Sequence, residues 1–291
     1  MGDWVLGVIG GSGLYEIEGL QDPRWVKIDS PFGVPSDELL TGSLGEVKLV
    51  FLPRHGRGHR LPPTGVNARA NIDVLKRAGC SDLISLSAVG SLREALDPGT
   101  FVVVDQFIDR TFAREKSFFG EGLVAHVSMA EPVCPRLSAL AARAGRDAGA
   151  RIVEGGCYLA MEGPQFSTKA ESALYRSWGC DVIGMTNMPE AKLAREAELP
   201  YASVAMVTDY DCWREDFAHV EVTHILEVLH ANADMARDLV RRLAGALPSR
   251  REPSPIDTCL DTALITAPSA RDPKAAKRLD AVAGRVLGAA Q

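Results

Sequence analysis

No stretch of this sequence approaches the roughly 20 consecutive apolar residues that a membrane-spanning helix needs. The start, Met1 to Gly10, lacks a basic n-region, and its apolar run is too short for a signal peptide. An excess of positive charge is also missing. With 32 Lys and Arg against 38 Asp and Glu, the net charge is −6, which argues against a general nucleic-acid binder with a basic face. The six cysteines (Cys80, Cys134, Cys157, Cys180, Cys212, Cys259) form no CxxC pair. Neither a disulfide framework nor a metal site is therefore expected, and reduced, mostly buried thiols in a cytoplasmic protein are. No Gly-Lys-Ser/Thr triplet occurs, which excludes a nucleotide P-loop. Internal repeats and low-complexity tracts are absent too. An acidic chain can still hold a small anion, provided that it builds a local cluster of donors.

What is present is a chain of 291 residues, enough for one large α/β domain or two small ones. Short apolar runs read as strands over Trp4–Ile9, Val47–Phe51, Asp82–Ser87, Thr100–Val104, Tyr158–Met161, Asp181–Met185 and Tyr201–Val207. Helical periodicity marks Val66–Ala78, Arg136–Ala148 and Thr168–Trp178, closed by Gly79, Gly149 and Gly179, and also Pro189–Ala197 and Val222–Leu247. The alternation predicts an α/β sheet with parallel pairing. Residues 1–247 read as one domain. The segment 248–291 reads as a tail that turns to Pro, Ser and Arg and ends in a helix over about Pro273–Leu287.

Three stretches carry chemistry. Gly7-Val-Ile-Gly-Gly-Ser-Gly13 follows a strand, and its glycines let backbone N–H groups approach an anion while Ser12 adds a hydroxyl. A dinucleotide fingerprint would want a spaced third glycine where Leu14-Tyr15-Glu16 stands, and a ligand-free turn is the remaining reading. Pro53-Arg-His-Gly-Arg-Gly-His-Arg60 also follows a strand and sets three arginines and two histidines beside glycines. It is either an anion site with bidentate guanidinium contacts or a solvated basic turn. Ser85-Leu-Ser-Ala-Val-Gly-Ser-Leu-Arg93 ends an apolar strand in small hydroxyl residues, again a donor-rich edge or an ordinary capped strand end.

These motifs resemble, in order, those of the methylthioadenosine phosphorylases. The similarity runs through Gly10–Leu14, Arg54-His55-Gly56, Ser87–Glu94 and Asp105–Arg110. It continues through Met129–Pro132, Glu162–Ser167, Gly184-Met185-Thr186 and the most specific stretch, Thr208-Asp-Tyr-Asp-Cys-Trp213, and so covers about residues 4–247. The resemblance implies a nucleoside phosphorylase fold with a mixed sheet flanked by helices, assembled as a homotrimer. It implies phosphorolysis of 5'-methylthioadenosine, with inorganic phosphate as co-substrate and no metal, cofactor, nucleic acid or membrane partner. Ser12, Arg54, His55, Ser87, Ala88 (through its backbone) and Thr186 are implied to hold phosphate. Met185 would lie along the ribose, and Phe166 would pack on the purine. Ser167, Asp209 and Asp211 would address the polar edge of the base. His126 of a neighbouring subunit, with Val222, Ile225 and Leu226, would form an apolar 5' pocket.

The residue chemistry supports the same division of labour. Breaking an N-glycosidic bond leaves positive charge on the sugar and negative charge on the base, so a phosphate is wanted on one side and a carboxyl acid on the other. Asp209 follows a buried run, where desolvation favours its protonated form, and Asp211 is two residues on. The pair could equally be a solvated turn. A carboxylate at Asp211 fits a 6-amino group better than a 6-oxo group, which predicts adenine over hypoxanthine or guanine. Val222, Ile225 and Leu226 share one helix face and read as core or as pocket. The alternatives are a 6-oxopurine phosphorylase, a Rossmann-type oxidoreductase with Asp29 as its ribose ligand, and a non-catalytic nucleoside-binding protein.

Overall fold

The computed structural model describes residues 4–11, 13–214 and 222–288, with the backbone alone at 222–227 and 229. Eleven strands among these residues form one mixed sheet. In chain order its first half comprises β1 (Val5–Gly10), β2 (Gln21–Val26), β3 (Leu39–Leu44), β4 (Val47–Pro53), α1 (Ala68–Arg77), β5 (Asp82–Ser91), β6 (Thr100–Val104), β7 (Gln106–Asp109) and α2 (Pro135–Asp147). There follow β8 (Arg151–Glu154), β9 (Cys157–Ala160), α3 (Lys169–Ser177), β10 (Val182–Gly184), α4 (Glu190–Glu196), β11 (Tyr201–Asp209), α5 (Val222–Ala246), α6 (Pro273–Arg278) and α7 (Asp280–Gly288).

The hydrogen-bonded order is β2-β3-β4-β1-β5-β10-β9-β7, with β11, β6 and β8 branching from β5. β5 is the hub. It pairs in parallel with β1 and β11 and antiparallel with β10. The expectation of parallel pairing therefore needs correction: β2–β3, β3–β4, β5–β10 and β6–β11 are antiparallel. Four strands escape a reading by apolar runs. Every residue of β2 is exposed, and in β8 exposed Arg151 and Glu154 leave an apolar run of only Ile152 and Val153. β7 is only four residues long, and β3 carries a Thr-Gly-Ser centre.

Helix ends follow local chemistry. The Asn67 side chain caps α1, and a capping box of Thr168 and Glu171 starts α3. Gly79, Gly149 and Gly179 adopt φ of +83°, +87° and +77°, the left-handed exit that glycine supplies at least strain. Two apolar cores lie on either side of the sheet, one under α1 and α4 with the tail, the other under α2 and α5.

The single C-terminal helix expected over Pro273–Leu287 is instead two, broken at Leu279. The break lets Leu279, Val282 and Ala283 enter the core together. Arg251 binds Asp82 and Asp257, Arg285 binds Glu198, and Trp4 donates to Pro248, so the segment after 248 is tied to the body of the same chain. Among the described residues no helix is long and apolar enough to cross a membrane. All six cysteines are free. Cys80, Cys134 and Cys180 are buried, but Cys157, Cys212 and Cys259 are only partly so.

Candidate active site

Gly11 after β1, Arg54 and His55 after β4, Ser87–Gly90 of β5, Gly184–Thr186 at the end of β10, and Thr208, Asp209 and Asp211 at the end of β11 line one cavity of about 340 Å³. Crevices at strand ends are where α/β sheets bind ligands, because the loops there can carry donors without disturbing the ladder. Met161, Met185 and Met206 give the cavity an apolar middle, and Phe166, 68% exposed, stands at its rim.

One end of the cavity is a donor cluster. Arg54 is 3% exposed, and its backbone N–H donates to Gly10 O, tying the end of β4 to β1. Its guanidinium grips Glu190 of α4, Nε to Oε1 at 2.5 Å and Nη2 to Oε2 at 3.2 Å, and also donates to Leu86 O and Ser85 Oγ. Burial lowers the Arg54 pKa, but the Glu190 carboxylate outweighs it and holds the group above its ordinary value. Thr186 Oγ1 lies 3.0 Å from the Tyr158 hydroxyl. Ser87 Oγ is buried without a hydrogen bond of normal geometry, although it lies near enough to the Tyr158 hydroxyl to offset part of the rise that burial imposes on that tyrosine. A buried hydroxyl in that state is a donor waiting for an acceptor.

His55 Nδ1 is 2.9 Å from Leu61 O. A carbonyl only accepts, so Nδ1 carries the hydrogen. Burial, then the Arg54 charge, push the His55 pKa down to about 4. The ring is neutral at neutral pH, and Nε2 keeps its lone pair. The linked stability follows directly. The folded chain takes this proton only near pH 4 and the unfolded chain near 6.5, so the unfolded state binds more protons between them. Stability is thus lost as pH falls through that window, by roughly 2–3 kcal/mol. Urea unfolding at about pH 7 and about pH 4.5 should show this slope in the native chain and a shallower one in His55→Asn.

The other end is a carboxyl pair. Asp209 Oδ1 accepts from Asp211 N at 2.8 Å, and Oδ2 lies 2.7 Å from Thr208 Oγ1. Thr208 Oγ1 is also 3.1 Å from Val89 O, yet a hydroxyl has one hydrogen for these two acceptors. If it serves the carbonyl, Asp209 must supply the proton in the 2.7 Å contact. Burial raises the Asp209 pKa against the two donors, and the Asp211 charge adds to the rise. Ser167 Oγ donates to both Asp211 oxygens at 3.1 and 3.2 Å. Gly90, opposite Asp209 in the sheet, makes this possible, because a Cβ there would meet Asp209 Oδ1 at 3.0 Å and Asp211 Cβ at 3.3 Å.

Of the residues expected at a site, Arg54, His55, Ser87, Ala88, Phe166, Met185, Thr186, Asp209 and Asp211 line this cavity, and Ser167 touches it through Asp211. Ser12 lies outside the described residues, as do the side chains of Val222, Ile225 and Leu226. His126 does not line its own chain's cavity. It lines a separate surface hollow with Lys116, Lys192 and Glu196. Its backbone N–H donates to Ala263 O, beside Leu264, which bridges Ala125. Among the described residues no group of three or more His, Cys, Asp or Glu could share a metal ion.

Sequence reasoning gave no role to Glu190, Asn187, Tyr158 or Thr208, and named Ser85 only as part of a donor-rich strand end. For Glu190 a signal exists. Helical spacing sets it on the same face as Leu193 and Ala194, both fully buried, so a carboxylate stands on the apolar stripe of α4. Asn187, which follows Thr186 with φ of +68°, hydrogen-bonds Ser85 and Ser203 and is fully buried.

Comparison with known proteins agrees with this arrangement. A family model described as the phosphorylase superfamily matches residues 5–245. An S-methyl-5'-thioadenosine phosphorylase of Cereibacter sphaeroides is 63% identical over 285 residues, covering 97% of this chain and 98% of the relative. A methylthioadenosine phosphorylase from an antarctic soil metagenomic library superposes with a TM-score of 0.91 at 45% identity, covering 97% and 99% of the two chains. The Schistosoma mansoni methylthioadenosine phosphorylase in complex with adenine follows at a TM-score of 0.79 and 39% identity, covering 84% and 93%. The chain therefore belongs to the phosphorylase superfamily and, within it, to the S-methyl-5'-thioadenosine phosphorylases.

Proposed function

We propose that this protein cleaves 5'-methylthioadenosine with inorganic phosphate, releasing adenine and 5-methylthioribose 1-phosphate. The observation that carries the reading is one cavity with a donor cluster at one end and, at the other, the Asp209–Asp211 pair, in which burial raises the Asp209 pKa. Ser87 and Gly90 mark the two ends on β5, three residues and so about 10 Å apart, which leaves room for a sugar between anion and base.

In this reading Ser12, Arg54, His55, Ser87, the Ala88 backbone and Thr186 hold phosphate. Met185 lies along the ribose, Phe166 packs against the purine, and Ser167, Asp209 and Asp211 meet its polar edge. As the C1'–N9 bond breaks, the phosphate charge stabilises the cationic sugar, and a phosphate oxygen then forms the new bond to C1'. Asp209 gives a proton or hydrogen bond to N7 of the departing base. Asp211 accepts from the 6-amino group. No metal or cofactor enters the scheme.

His126 of a second copy closes the 5' end with Val222, Ile225 and Leu226, in a homotrimer. That His126 stands outside its own cavity, beside tail residues Ala263 and Leu264, supports this closure. An apolar lining there favours the methylthio group over a hydrated hydroxyl by about 0.8 kcal/mol per buried CH₂ equivalent. We divide the chain into a phosphorylase domain, 1–247, and a tail, 248–291, and its six free cysteines suit the cytoplasm.

The test is release of free base from methylthioadenosine, adenosine, methylthioinosine and inosine, each with and without phosphate. Phosphate-dependent adenine release, fastest from methylthioadenosine, is expected. Hypoxanthine release in its place would overturn the role of Asp211, and no release from any of the four would leave only a nucleoside-binding protein.

A further inference from the structure

We infer that Glu190 is a positioning residue of the phosphate subsite that cancels the charge of Arg54, so that the subsite holds its anion by directed hydrogen bonds and not by net positive charge. The inference rests on the phosphate reading above and adds to it how the anion is held.

Donor arithmetic comes first. A guanidinium has five hydrogens. Nε gives its one to Glu190 Oε1, and Nη1 gives one to Leu86 O at 3.0 Å. The two on Nη2 face Ser85 Oγ at 2.5 Å, Glu190 Oε2 at 3.2 Å and Ile9 O at 3.5 Å. Among the described residues one Nη1 hydrogen is left for a ligand. Arg54 can therefore offer an anion one hydrogen bond, not the bidentate fork that its side chain could make elsewhere.

Charge arithmetic points the same way. Arg54 and Glu190 are each 3% exposed and paired in parallel, so together they present no net charge. The Arg54 charge and hydrogen bonds keep the Glu190 carboxylate ionised in the interior, helped by Ser85 Oγ at 3.1 Å and the Tyr201 hydroxyl at 3.2 Å. His55 donates Nδ1–H to Leu61 and adds no charge. Of the nearby cations, Arg57 is paired with Asp37 and Glu38 and Arg114 with Glu162, while Arg60 donates to the neutral Ser36 O and does not line the cavity. Among the described residues, what can face the anion is one Arg54 N–H, the hydroxyls of Ser87 and Thr186, backbone, and the rings of His55 and His59.

The arrangement has a chemical consequence. A phosphate bound by dipoles keeps its negative charge for the developing sugar cation. A net cation behind it would tighten ground-state binding of the phosphate and weaken that stabilisation, so affinity would rise while the rate fell. The shared Ser85 hydroxyl and Asn187 link this pair to the Met185–Thr186 loop, so the same contacts also fix where the anion's other donors stand.

The test is steady-state kinetics of full-length Glu190→Gln, with phosphate varied at saturating methylthioadenosine. The amide keeps the shape and leaves Arg54 uncompensated. The expected signature is a split: KM for phosphate falls by about tenfold while kcat falls by about tenfold or more. An unchanged or raised KM for phosphate overturns the inference, because a merely structural pair would loosen the anion. Should that variant fail to fold, Arg54→Gln/Glu190→Gln buries no charge and leaves the net charge of the subsite as in the native chain. Its KM for phosphate should rise by no more than about a hundredfold, the share of one lost charge-assisted hydrogen bond. Loss of saturation by phosphate in the double variant would show Arg54 acting as a net cation and refute the proposal. Base release by the native chain that ignores phosphate would instead sink the underlying reading, whatever Glu190 does.

Discussion

Asp209→Asn should leave a folded chain that still saturates with methylthioadenosine and phosphate but releases adenine about a thousandfold more slowly, the share of a lost general acid. The expectation comes from where the proton sits. Asp209 is held above its ordinary pKa chiefly by burial, and the Thr208 hydroxyl, caught between Val89 O and Asp209 Oδ2, leaves room for a carboxyl proton on Oδ2. An amide at this position keeps the contact to Asp211 N through its oxygen but has no proton to surrender. Stability separates this from a structural defect. A carboxyl whose folded pKa is raised binds more protons folded than unfolded between its two values, so stability falls as pH rises through that window. At neutral pH the native Asp209 is thus a liability, and Asp209→Asn should melt no lower than the native chain. Near-normal turnover in a variant of undiminished stability would remove Asp209 from the acid role.

The same residues show what a sequence can disclose. Strands buried on both faces, such as β5 and β11, read as apolar runs broken only by small residues, and the donors at their ends stand out by contrast. Glycines that close helices announced themselves at Gly79, Gly149 and Gly179 because few other residues tolerate that backbone. Edge strands β2 and β8 stayed hidden, since β2 is exposed throughout, β8 has only Ile152 and Val153 against the cores, and β8 pairs with a strand distant in sequence. Within the cavity, residues that project into it were legible from their type, whereas those that hold them were not. Arg54 looked like a free cation because nothing local tells that Glu190, 136 positions on, will be folded against it. The Thr208 hydroxyl, one residue before Asp209, was passed over because strand alternation sends neighbouring side chains to opposite faces, and only the shifted register between Val207 and Asp209 brings them together.

Asp211→Asn should relax the choice of base. Asp211 accepts from Ser167 Oγ on both oxygens and lines the cavity beside Asp209, so its carboxylate can only accept from whatever stands at purine position 6. An amino group donates there and a 6-oxo group does not. The Asn amide can rotate its NH₂ toward a 6-oxo acceptor, and the ratio of kcat/KM for methylthioadenosine over methylthioinosine should fall by about a thousandfold, within the 10⁴–10⁵ that a hydrogen-bonding site commands. The substitution is a fair probe of chemistry because Asp211 sits at φ of +53°, a conformation that Asn tolerates as readily as Asp. A second effect distinguishes loss of charge from loss of shape. Asp211 is one of the groups that push the Asp209 pKa up, so removing its charge lets that pKa fall. The protonated form of Asp209 then disappears at lower pH, and the alkaline limb of kcat for methylthioadenosine should move to lower pH by a measurable step. A base ratio unchanged within about threefold, with the limb unmoved, would mean that position 6 is read by another group and that the Asp211 carboxylate serves only to hold Ser167.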